Sequence, residues 1–451
     1  MKRGTVSLLI LIALICGAIA VGAVIKFEGD PPAVAFTPGK PHVLGLENTF
    51  HLTVTDRGQG LRSLRLTLKQ GEKTNELADR RWPAKYLVVG SDVTETSLDL
   101  SIAVKKLGIK DGPAVLSLVV RDHSWRESFH GNKYELNQPL IIDTKPPLIS
   151  LVTKQNYLNL GGCGMVVFRT NEEVRCGVQV GKTRYPGLPL EGAPNLYHAF
   201  FAIPYNLPKK TGLEITAQDK AGNTSRLRFP AQIKPRRWRH AKMNITDSFL
   251  DSVIPELRAA YPDLPADNLE AYLVVNRRIR AENNAAIKKA TAQVTPVRMW
   301  SGPFIQLRNS KRTAGFADHR IYLYQGREID RQVHMGLDLA SLAQAEVPAA
   351  NRGRVVLAEQ LGIYGNCVII DHGQGLFTLY GHLTGFSISK GQEVDKGQII
   401  GTTGATGLAG GDHLHFSVIC HGTFVDPVEW YDPRWIRNNI TAKEESAVEG
   451  G

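Results

Sequence analysis

The sequence predicts a mainly β protein with an N-terminal transmembrane helix, two β-sandwich domains, a short helical connector and a C-terminal antiparallel β domain. Three observations support this. The chain has 451 residues, and at ~100–200 residues per domain it divides into three or four units. An uncharged apolar run occupies residues 6–25. Short alternating strands with Gly/Pro turns recur further along. We place the domains at residues 1–28, 29–145, 146–235, 236–295, 296–432 and 433–451.

The apolar run is long enough to cross a bilayer. At ~1.5 Å per residue it spans ~30 Å. Lys2 and Arg3 precede it and are expected to stay in the cytoplasm, so the remainder is expected outside. We therefore predict a single-pass protein of the cytoplasmic membrane, with its last domain on the outer or periplasmic side. A cleaved signal peptide is the alternative, although its apolar region usually has ~7–15 residues.

Net charge is +11, which suits an anionic surface such as nucleic acid, lipid headgroups or bacterial wall polymers. The predicted export argues against nucleic acid, as does the lack of an aromatic-basic recognition motif. Export also permits disulfides among the four cysteines outside the apolar run. Pairing within each domain is one of three connectivities, and the sequence leaves all three open. These cysteines are Cys163, Cys176, Cys367 and Cys420.

Two sets of short strands precede the connector. Residues 49–56, 61–69 and 114–122 alternate apolar and polar side chains, as half-buried strands do. The stretch "IDTKPP" (residues 142–147) reads as a domain junction, and a second set of strands follows. The pieces "IDTKPPLISL" and "ITAQDKAGNTS" also resemble bacterial immunoglobulin-like domains, over short stretches only.

The connector begins with a basic stretch, "KPRRWRHAK" (residues 234–242), predicted to be a solvated linker, with contact to an anionic surface as the alternative. Two helices follow. The first is expected to break near Pro255, and the second to start after Asp267 as its N-cap. This segment is a spacer or a lid against the last domain. The polar tail from about Arg434 is expected to be frayed.

The stretch "HLHF" (residues 413–416) holds two histidines on one strand face, since residues i and i+2 point to the same side. Such a pair alone fits packing or a metal site. The stretch "VHMGLDLA" adds His334 and Asp338, which converge if the chain turns at Gly336. These two with either His413 or His415 supply two imidazoles and one carboxylate. That set leaves a fourth position open, which is typical of catalytic zinc.

A third histidine, His382, ends the strand "TLYGHL". His382 and the spare histidine of the "HLHF" pair would then face a substrate. There an imidazole moves protons or an imidazolium stabilises an oxyanion. This combination predicts amide hydrolysis. The helical HExxH motif is absent, so the predicted site is built on strands.

The stretches "HMGLDLA", "GNCVIIDHGQGLFTLYGHL" and "GTTGATGLAGGDHLHFSV" together resemble the lysostaphin/LytM-type zinc metallopeptidases, over about residues 296–430. The resemblance implies that His334, Asp338 and His415 bind one Zn²⁺ per chain. It also implies that His382 and His413 are catalytic. The family commonly has proline before "HLHF". Here that residue is Asp412, a charge expected to raise the pKa of His413.

That family hydrolyses peptide bonds in the stem or cross-bridge peptides of bacterial peptidoglycan. The resemblance therefore implies a membrane-anchored zinc endopeptidase of the cell wall, with a regulatory protein as a further candidate partner. One alternative is a non-catalytic relative that activates another hydrolase, or an autoinhibited one whose helical segment covers the cleft. Another is a wall-anchored structural protein that works through its sandwiches. Of the remaining histidines, His372 is expected to serve a turn and His319 to pack or to line the cleft.

Overall fold

The computed structural model describes residues 3–86, 89–153 and 156–449. The chain forms two compact units: Met1–Pro147 with Gln218–Ser225, and Leu148–Ala217 with Arg226–Gly451. Lys2 lies outside the described residues, so its predicted cytoplasmic position stays a prediction. The last two residues of the predicted tail, 450 and 451, also lie outside the described residues.

Helix α1 (Arg3–Lys26) has 24 residues, a length of about 36 Å. In the described part of the chain it is the one helix long and apolar enough to cross a membrane. Its apolar side chains face outward on all sides, as in a helix that contacts lipid rather than a protein core. A signal sequence has the same properties, so α1 is an anchor or a signal sequence.

The first unit is a β-sandwich. Its strands are β1 (Ala33–Thr37), β2 (Val43–Leu44), β3 (Glu47–Thr55), β4 (Leu61–Gln70), β5 (Lys73–Arg81), β6 (Glu95–Ala103), β7 (Gly112–Asp122) and β8 (Lys133–Ile142), with a one-turn segment α2 (Arg126–Phe129) between the last two. The sheet orders are β1-β3-β6 and β2-β8-β7-β4-β5. Alternate residues fill the core: Leu66 lies opposite Leu118, and both are fully buried.

Another pair of sheets, the second sandwich, follows in the chain. Its strands are β9 (Ile149–Leu151), β10 (Tyr157–Asn159), β11 (Cys163–Thr170), β12 (Arg175–Val180), β13 (Thr183–Pro186), β14 (Leu188–Pro189), β15 (Leu196–Ala202), β16 (Leu213–Gln218), β17 (Thr224–Arg228) and β18 (Gln232–Lys234). The sheet orders are β14-β15-β11-β9 and β13-β12-β16-β17, and β10 pairs with β18. Every residue of β15 is buried, so both faces of this strand are covered.

The connector packs against the last domain. It consists of β19 (His240–Ile245), α3 (Asp247–Ala260), α4 (Asn268–Val274), a π-helical turn (Val275–Ile279) and α5 (Arg280–Ala290). The expected break near Pro255 is wrong, because α3 continues through it. Pro255 and Asp251, the residue whose carbonyl oxygen loses its helical N–H donor, are both exposed, so water can reach this part of the helix. Asp267 caps α4, as predicted, by accepting from the Glu270 N–H at 2.9 Å.

The basic stretch before β19 is held in place by two of its side chains. Arg236 forms an ion pair with Asp426. The Trp238 indole donates to the Tyr205 carbonyl oxygen at 3.0 Å and packs edge-on against Phe316, with the ring centroids 6.0 Å apart. Most side chains of residues 234–242 are nevertheless exposed, so the stretch is a largely solvated linker that Arg236 and Trp238 fix in place.

The C-terminal domain is an antiparallel β structure. Its strands are β20 (Lys311–Ala314), β21 (Asp318–Tyr324), β22 (Arg327–His334), β23 (Leu337–Ala340), β24 (Glu346–Pro348), β25 (Gly353–Gln360), β26 (Asn366–Asp371), β27 (Leu376–Leu383), β28 (Gly385–Phe386), β29 (Glu393–Val394), β30 (Ile399–Thr402), β31 (Leu414–Cys420) and β32 (Thr423–Val425). The main sheet has the order β20-β23-β31-β27-β26-β25-β29, with β32 beside β31. A second sheet, β19-β21-β22, and a third, β24-β30-β28, flank it. The predicted fold class is confirmed.

The tail is folded, so the expectation of a frayed end is wrong for residues 433–449. They form α7 (Pro433–Ile436), a π-helical turn (Arg437–Thr441) and α8 (Ala442–Glu449), which follow α6 (Val428–Tyr431). Lys443 Nζ donates to the Met165 carbonyl oxygen at 2.9 Å. Glu444 Oε1 lies 2.7 Å from His198 Nδ1 and 2.6 Å from Arg298 Nη2. Polar side chains therefore dock this helix onto the second sandwich.

The four cysteines outside α1 are free and buried. Pairing within a domain, one of the predicted alternatives, is not observed among them. A contact with the thiol of Cys420, together with burial, raises the pKa of the Cys163 thiol. Cys163 belongs to the second sandwich and Cys420 to the C-terminal domain.

Glu429, on α6, makes the stability of the fold depend on pH. Its carboxylate accepts from Asn159 Nδ2 at 2.7 Å and from the Cys163 backbone N–H at 2.8 Å. Burial nevertheless raises its pKa to about 7. From pH 4.5 to about 7, the folded chain keeps a proton that the unfolded chain has released. This contribution to stability is complete below pH 4.5 and is lost as pH rises to about 7.

Replacing Glu429 with glutamine is expected to flatten this dependence. We expect the wild-type unfolding free energy to fall by on the order of 1–3 kcal/mol more than that of the variant between pH 5 and pH 8. Denaturant unfolding of the full chain at both pH values measures the difference. The exposed Glu445→Gln variant is the control. An equal pH dependence of stability in wild type, Glu429→Gln and Glu445→Gln would show that Glu429 is not the group responsible.

Candidate active site

The three predicted metal ligands meet where three strands come together. β22 ends at His334, Asp338 lies on β23, and His415 lies opposite Asp338 on β31. Asp338 Oδ1 is 2.9 Å from His334 Nε2 and 3.0 Å from His415 Nδ1. The two nitrogens are 3.0 Å apart. All three side chains are buried, so one buried point is surrounded by three donor atoms.

Hydrogen bonds on the outer side of each imidazole determine which nitrogen faces this point. His334 Nδ1 donates to the Gly315 carbonyl oxygen at 2.8 Å, which leaves the lone pair on Nε2. His415 Nε2 donates to the Ser417 hydroxyl at 3.0 Å, and that hydroxyl donates to the Met335 carbonyl oxygen at 2.8 Å. Two lone pairs and a carboxylate oxygen therefore converge with no hydrogen between them. A cation stabilises this arrangement, and the donor set fits Zn²⁺.

Arg320 holds the other oxygen of the carboxylate. Its Nη2 donates to Asp338 Oδ2 at 2.8 Å, so Oδ1 is the oxygen left for the donor group. Burial alone would raise the pKa of Asp338. His334, His413 and His415 instead hold that pKa well below its ordinary value. The carboxylate is therefore ionised and fixed in orientation.

Gly336 lies between His334 and Asp338 and is required for space. A Cβ atom there would come within 2.6 Å of the Phe416 carbonyl oxygen and 2.7 Å of His415 Nε2. Its φ is not in the left-handed region. The predicted role of Gly336, to permit a turn, is therefore replaced by a close approach of two backbones.

His382 lies on β27, next to the residue that pairs with His415. Its φ is +62°, a left-handed conformation that is uncommon for a residue with a side chain and is often found at functional sites. Its Nδ1 donates to the Thr406 carbonyl oxygen at 2.9 Å, so Nε2 is left for the cleft. Its ring centroid is 5.9 Å from that of His415.

His413 lies just before β31 and beside His382, with the two ring centroids 4.8 Å apart. Its Nδ1 donates to the Gly411 carbonyl oxygen at 2.8 Å. Its Nε2 is 3.6 Å from Asp338 Oδ1, further away than either imidazole nitrogen of the donor group. The two histidines of "HLHF" thus differ: His415 belongs to the donor group and His413 lies beside it.

The pKa values of the two histidines beside the donor group, His382 and His413, are shifted in opposite directions. Burial, assisted by the neighbouring His413 and His415, lowers the pKa of His382 to about 3. Burial alone would also lower the pKa of His413, but Asp338 raises it above its ordinary value. His382 is therefore a neutral imidazole near pH 7, and His413 favours the charged form.

Asp412 does not have the effect expected from the sequence. Its Oδ2 accepts from the Gln344 backbone N–H at 3.0 Å. The carboxylate that raises the pKa of His413 is Asp338, and Asp412 is not among the main causes. Asp412 therefore holds a neighbouring loop rather than tuning the histidine that follows it.

All five predicted site residues line one cleft with a volume of about 930 Å³. Strands β19, β21 and β22 contribute to its lining, and so do residues 408–413. Phe249 of α3, Tyr272 of α4 and Lys288 of α5 also line it. The helical connector thus forms part of the cleft wall.

Two further histidines flagged in the sequence lie outside the donor group. His319 stacks on His240 with the ring centroids 4.9 Å apart, which favours the packing interpretation. His372 is fully buried, and its ring nitrogens are 2.7 Å from the Arg352 carbonyl oxygen and 2.7 Å from the Thr378 hydroxyl. It holds the turn after β26, as expected.

The structure adds Arg320 and Ser417 to the site. Ser417 is two residues after His415, so the alternation of a strand could have placed both on one face. Arg320 lies on β21 of a different sheet, and no local pattern indicates that this sheet approaches Asp338.

Replacing Ser417 with alanine is expected to lower zinc affinity about 10–100-fold, because the buried His415 Nε2–H loses the acceptor that orients the ring. Zinc competition with a chromophoric chelator measures this. Ser341→Ala, which removes a hydroxyl bonded to the Arg308 carbonyl oxygen, is the matched control. Equal affinities in both variants would show that Ser417 does not support the ligand.

Residues 332–427 match the profile of Peptidase family M23. The chain is 35% identical over 117 residues to the peptidoglycan DD-endopeptidase ShyB of Vibrio cholerae, covering 26% of this chain and 27% of the relative. It is 36% identical over 95 residues to the murein hydrolase activator EnvC of Escherichia coli, covering 21% and 23%. The catalytic domain of lysostaphin from Staphylococcus simulans is 29% identical, with a TM-score of 0.23, and covers 27% of this chain and 92% of that domain.

The family match confirms the resemblance predicted for the C-terminal region: residues 332–427 form a Peptidase family M23 domain. The matches span about a quarter of the length of these curated relatives. The residues before position 332 lie outside the family match.

Proposed function

We propose that the M23 domain of this chain is a zinc-dependent endopeptidase that cleaves peptide bonds of bacterial peptidoglycan. The observation that carries the proposal is the convergence of His334, Asp338 and His415 in a cleft that also presents His382 and His413. In the wider proposal α1 anchors the chain in the cytoplasmic membrane, with the M23 domain outside it. The two sandwiches then act as a stalk or as docking surfaces.

His334 Nε2, Asp338 Oδ1 and His415 Nδ1 would hold one zinc ion per chain. A bound zinc ion polarises a carbonyl oxygen and makes water a nucleophile near neutral pH. The protein fixes the three donor atoms beforehand through Gly315, Ser417 and Arg320. Little reorganisation is then needed when the ion binds.

His382 and His413 orient the reacting groups. The His382 Nδ1–H is held by the Thr406 carbonyl oxygen, so its neutral Nε2 is free to accept a hydrogen bond from the attacking water and to orient it. The Asp338 carboxylate favours the charged form of His413. His413 is thus suited to donate a hydrogen bond to the oxyanion that develops on the scissile carbonyl.

The cleft wall suits a substrate with carboxylates. Arg280 and Lys288, on α5, line the cleft. Neither forms an ion pair with a carboxylate in the described part of the chain. Arg280 instead bonds to Asn276 on the preceding helical turn. Two cationic side chains in this position favour an acidic peptide, consistent with the stem peptides of the wall.

The alternative is a non-catalytic or autoinhibited protein that regulates another wall hydrolase. It is supported by the match to EnvC and by the contribution of α3, α4 and α5 to the cleft wall. Intact donor atoms and both further histidines favour the enzyme. A regulator has no need of a convergent donor group with oriented lone pairs.

The test is digestion of purified peptidoglycan by the full chain in detergent micelles, followed by mass analysis of the fragments. We expect new peptide termini with zinc present and none after chelation, and Asp338→Ala should be inactive. Walls of several cross-link types are needed, since the sequence does not specify the bond. No zinc-dependent product from any of them would contradict the enzyme and favour the regulator.

A further inference from the structure

A second cluster of ionisable groups lies in the first unit, where the chain leaves α1. Glu28 follows α1 by two residues, Asp56 directly follows β3, and Asp122 ends β7. One carboxylate oxygen of each residue lies within 4.8 Å of the other two. Asp56 is 3% exposed and Asp122 is fully buried. Three carboxylates this close repel one another unless a carboxyl group keeps its proton or a cation lies between them.

The Asp56 carboxylate shows which oxygen needs a partner. Its Oδ2 accepts from the backbone N–H groups of Gly58 at 3.2 Å and Gly60 at 2.5 Å. Its Oδ1 is buried and has no hydrogen-bond partner among the residues that the structure describes. The turn after β3 therefore occupies one oxygen and leaves the other for a ligand in the cluster.

Asn132, just before β8, directs its side-chain amide at four oxygen atoms of the cluster and its surroundings. Its Nδ2 lies 3.1 Å from the Glu28 carbonyl oxygen, 3.0 Å from Glu28 Oε1, 3.4 Å from the Asp30 carbonyl oxygen and 2.9 Å from Asp122 Oδ2. An amide group has two N–H bonds, so at least two of these four oxygens receive no hydrogen from it. Backbone N–H groups supply further donors: Ser124 and Asn132 donate to Asp122 Oδ1 at 2.9 and 2.7 Å, and Asp30 donates to Glu28 Oε2 at 2.9 Å. Among the described residues, Asp56 Oδ1 remains without a donor.

No ion pair neutralises the cluster: in the described ranges, Glu28, Asp56 and Asp122 form none with lysine or arginine. Lys26 interacts electrostatically with Asp122, but its ammonium donates to the His123 carbonyl oxygen at 3.3 Å. One partly engaged cation faces three carboxyl groups. Burial, together with the charge of Asp122, raises the pKa of both Glu28 and Asp56. Both carboxyl groups are therefore harder to ionise than in water.

We propose that Glu28, Asp56 and Asp122 bind a calcium ion that joins the end of α1 to two loops of the first sandwich. Calcium takes six to eight oxygen ligands in flexible geometry, which suits carboxylates and carbonyls from separate loops. Magnesium demands near-ideal octahedral geometry and keeps its waters, which suits a buried cluster poorly. Zinc prefers the nitrogen ligands that this cluster lacks. The bound ion fixes the direction in which the chain leaves α1.

Calorimetric titration of calcium into the full chain in detergent micelles tests the site. We expect one site with a dissociation constant on the order of 10⁻⁴–10⁻³ M, as in extracellular calcium modules, and weaker binding of magnesium. Asp56→Asn should weaken calcium binding at least tenfold. Asp99→Asn, at a side chain that is 95% exposed on β6, should leave it unchanged. His334→Ala should also leave it unchanged, which separates this site from the M23 cleft.

Thermal unfolding supplies a second readout that does not depend on measuring affinity. In calcium-free buffer Asp56→Asn should be at least as stable as wild type, because it removes one of three repelling charges. With 5 mM calcium the order should reverse, since only wild type gains about 3–6 °C. No calcium heat in wild type, or the same calcium response in wild type and Asp56→Asn, would overturn the site.

Discussion

The His415→Ala variant is expected to lose both zinc and peptidoglycan cleavage. His415 supplies one of three donor atoms that lie within 3.0 Å of one another, and its ring is held by Ser417 on the outer side. Removing a ligand should lower zinc affinity by more than the ~10–100-fold that outer partners contribute. Metal analysis after gel filtration should then find less than one zinc per ten chains, and cleavage should fall below detection.

The matched control is His240→Ala, which removes an exposed histidine that stacks on His319 outside the donor group. It should keep one zinc per chain and full cleavage. A His415→Ala variant that retains wild-type zinc would mean that the convergent donor atoms are not the metal site.

The His413→Ala variant is expected to keep zinc and to lose turnover. His413 Nε2 lies 3.6 Å from Asp338 Oδ1, outside the 3.0 Å spacing of the donor group. Loss of a positioned acid or hydrogen-bond donor typically costs 10²–10⁴-fold in rate. We therefore expect kcat to fall by that factor, with zinc content unchanged and KM little affected. His413→Gln, which keeps a hydrogen-bond donor without a charge, should recover part of the rate.

Equal zinc loss in His413→Ala and His415→Ala would contradict this division of roles. Both histidines would then act as ligands, and the difference between their contacts would carry no functional meaning. Measuring zinc content and rate on the same preparations separates the two outcomes.

The sequence predicts which residues form the site better than it predicts the hydrogen-bond partners that orient them. The two-residue period of a strand placed His413 and His415 on one face, and the spacing of His334 and Asp338 suggested convergence. The carbonyl oxygens that orient His334 and His382 come from Gly315 and Thr406, which are distant along the chain. Backbone carbonyls have no residue signature, so only the folded structure identifies them.

The errors in the fold have similar causes. Proline usually ends a helix, but Pro255 lies on the exposed face of α3 together with Asp251, four residues earlier, and the helix continues. The tail is polar in composition, yet Lys443 and Glu444 find buried partners on other elements. Composition reports average polarity, whereas docking depends on a few long-range pairs.

The acidic cluster beside α1 shows the same limit. Its three carboxylates come from residues 28, 56 and 122, which are separated by whole strands. No sequence motif links them, in contrast to the compact stretches of the M23 site. A site formed by single residues that are far apart in the sequence leaves no local pattern, so sequence analysis misses it.

Titration of the metal-free full chain with zinc tests the central claim most directly. Zinc bound and cross-link cleavage should rise together and in proportion, and both should level off at one zinc per chain. In Asp338→Ala neither should rise. Saturation with one zinc per chain without any peptide product, on a wall that another endopeptidase cleaves, would contradict the claim that this M23 domain is a hydrolase.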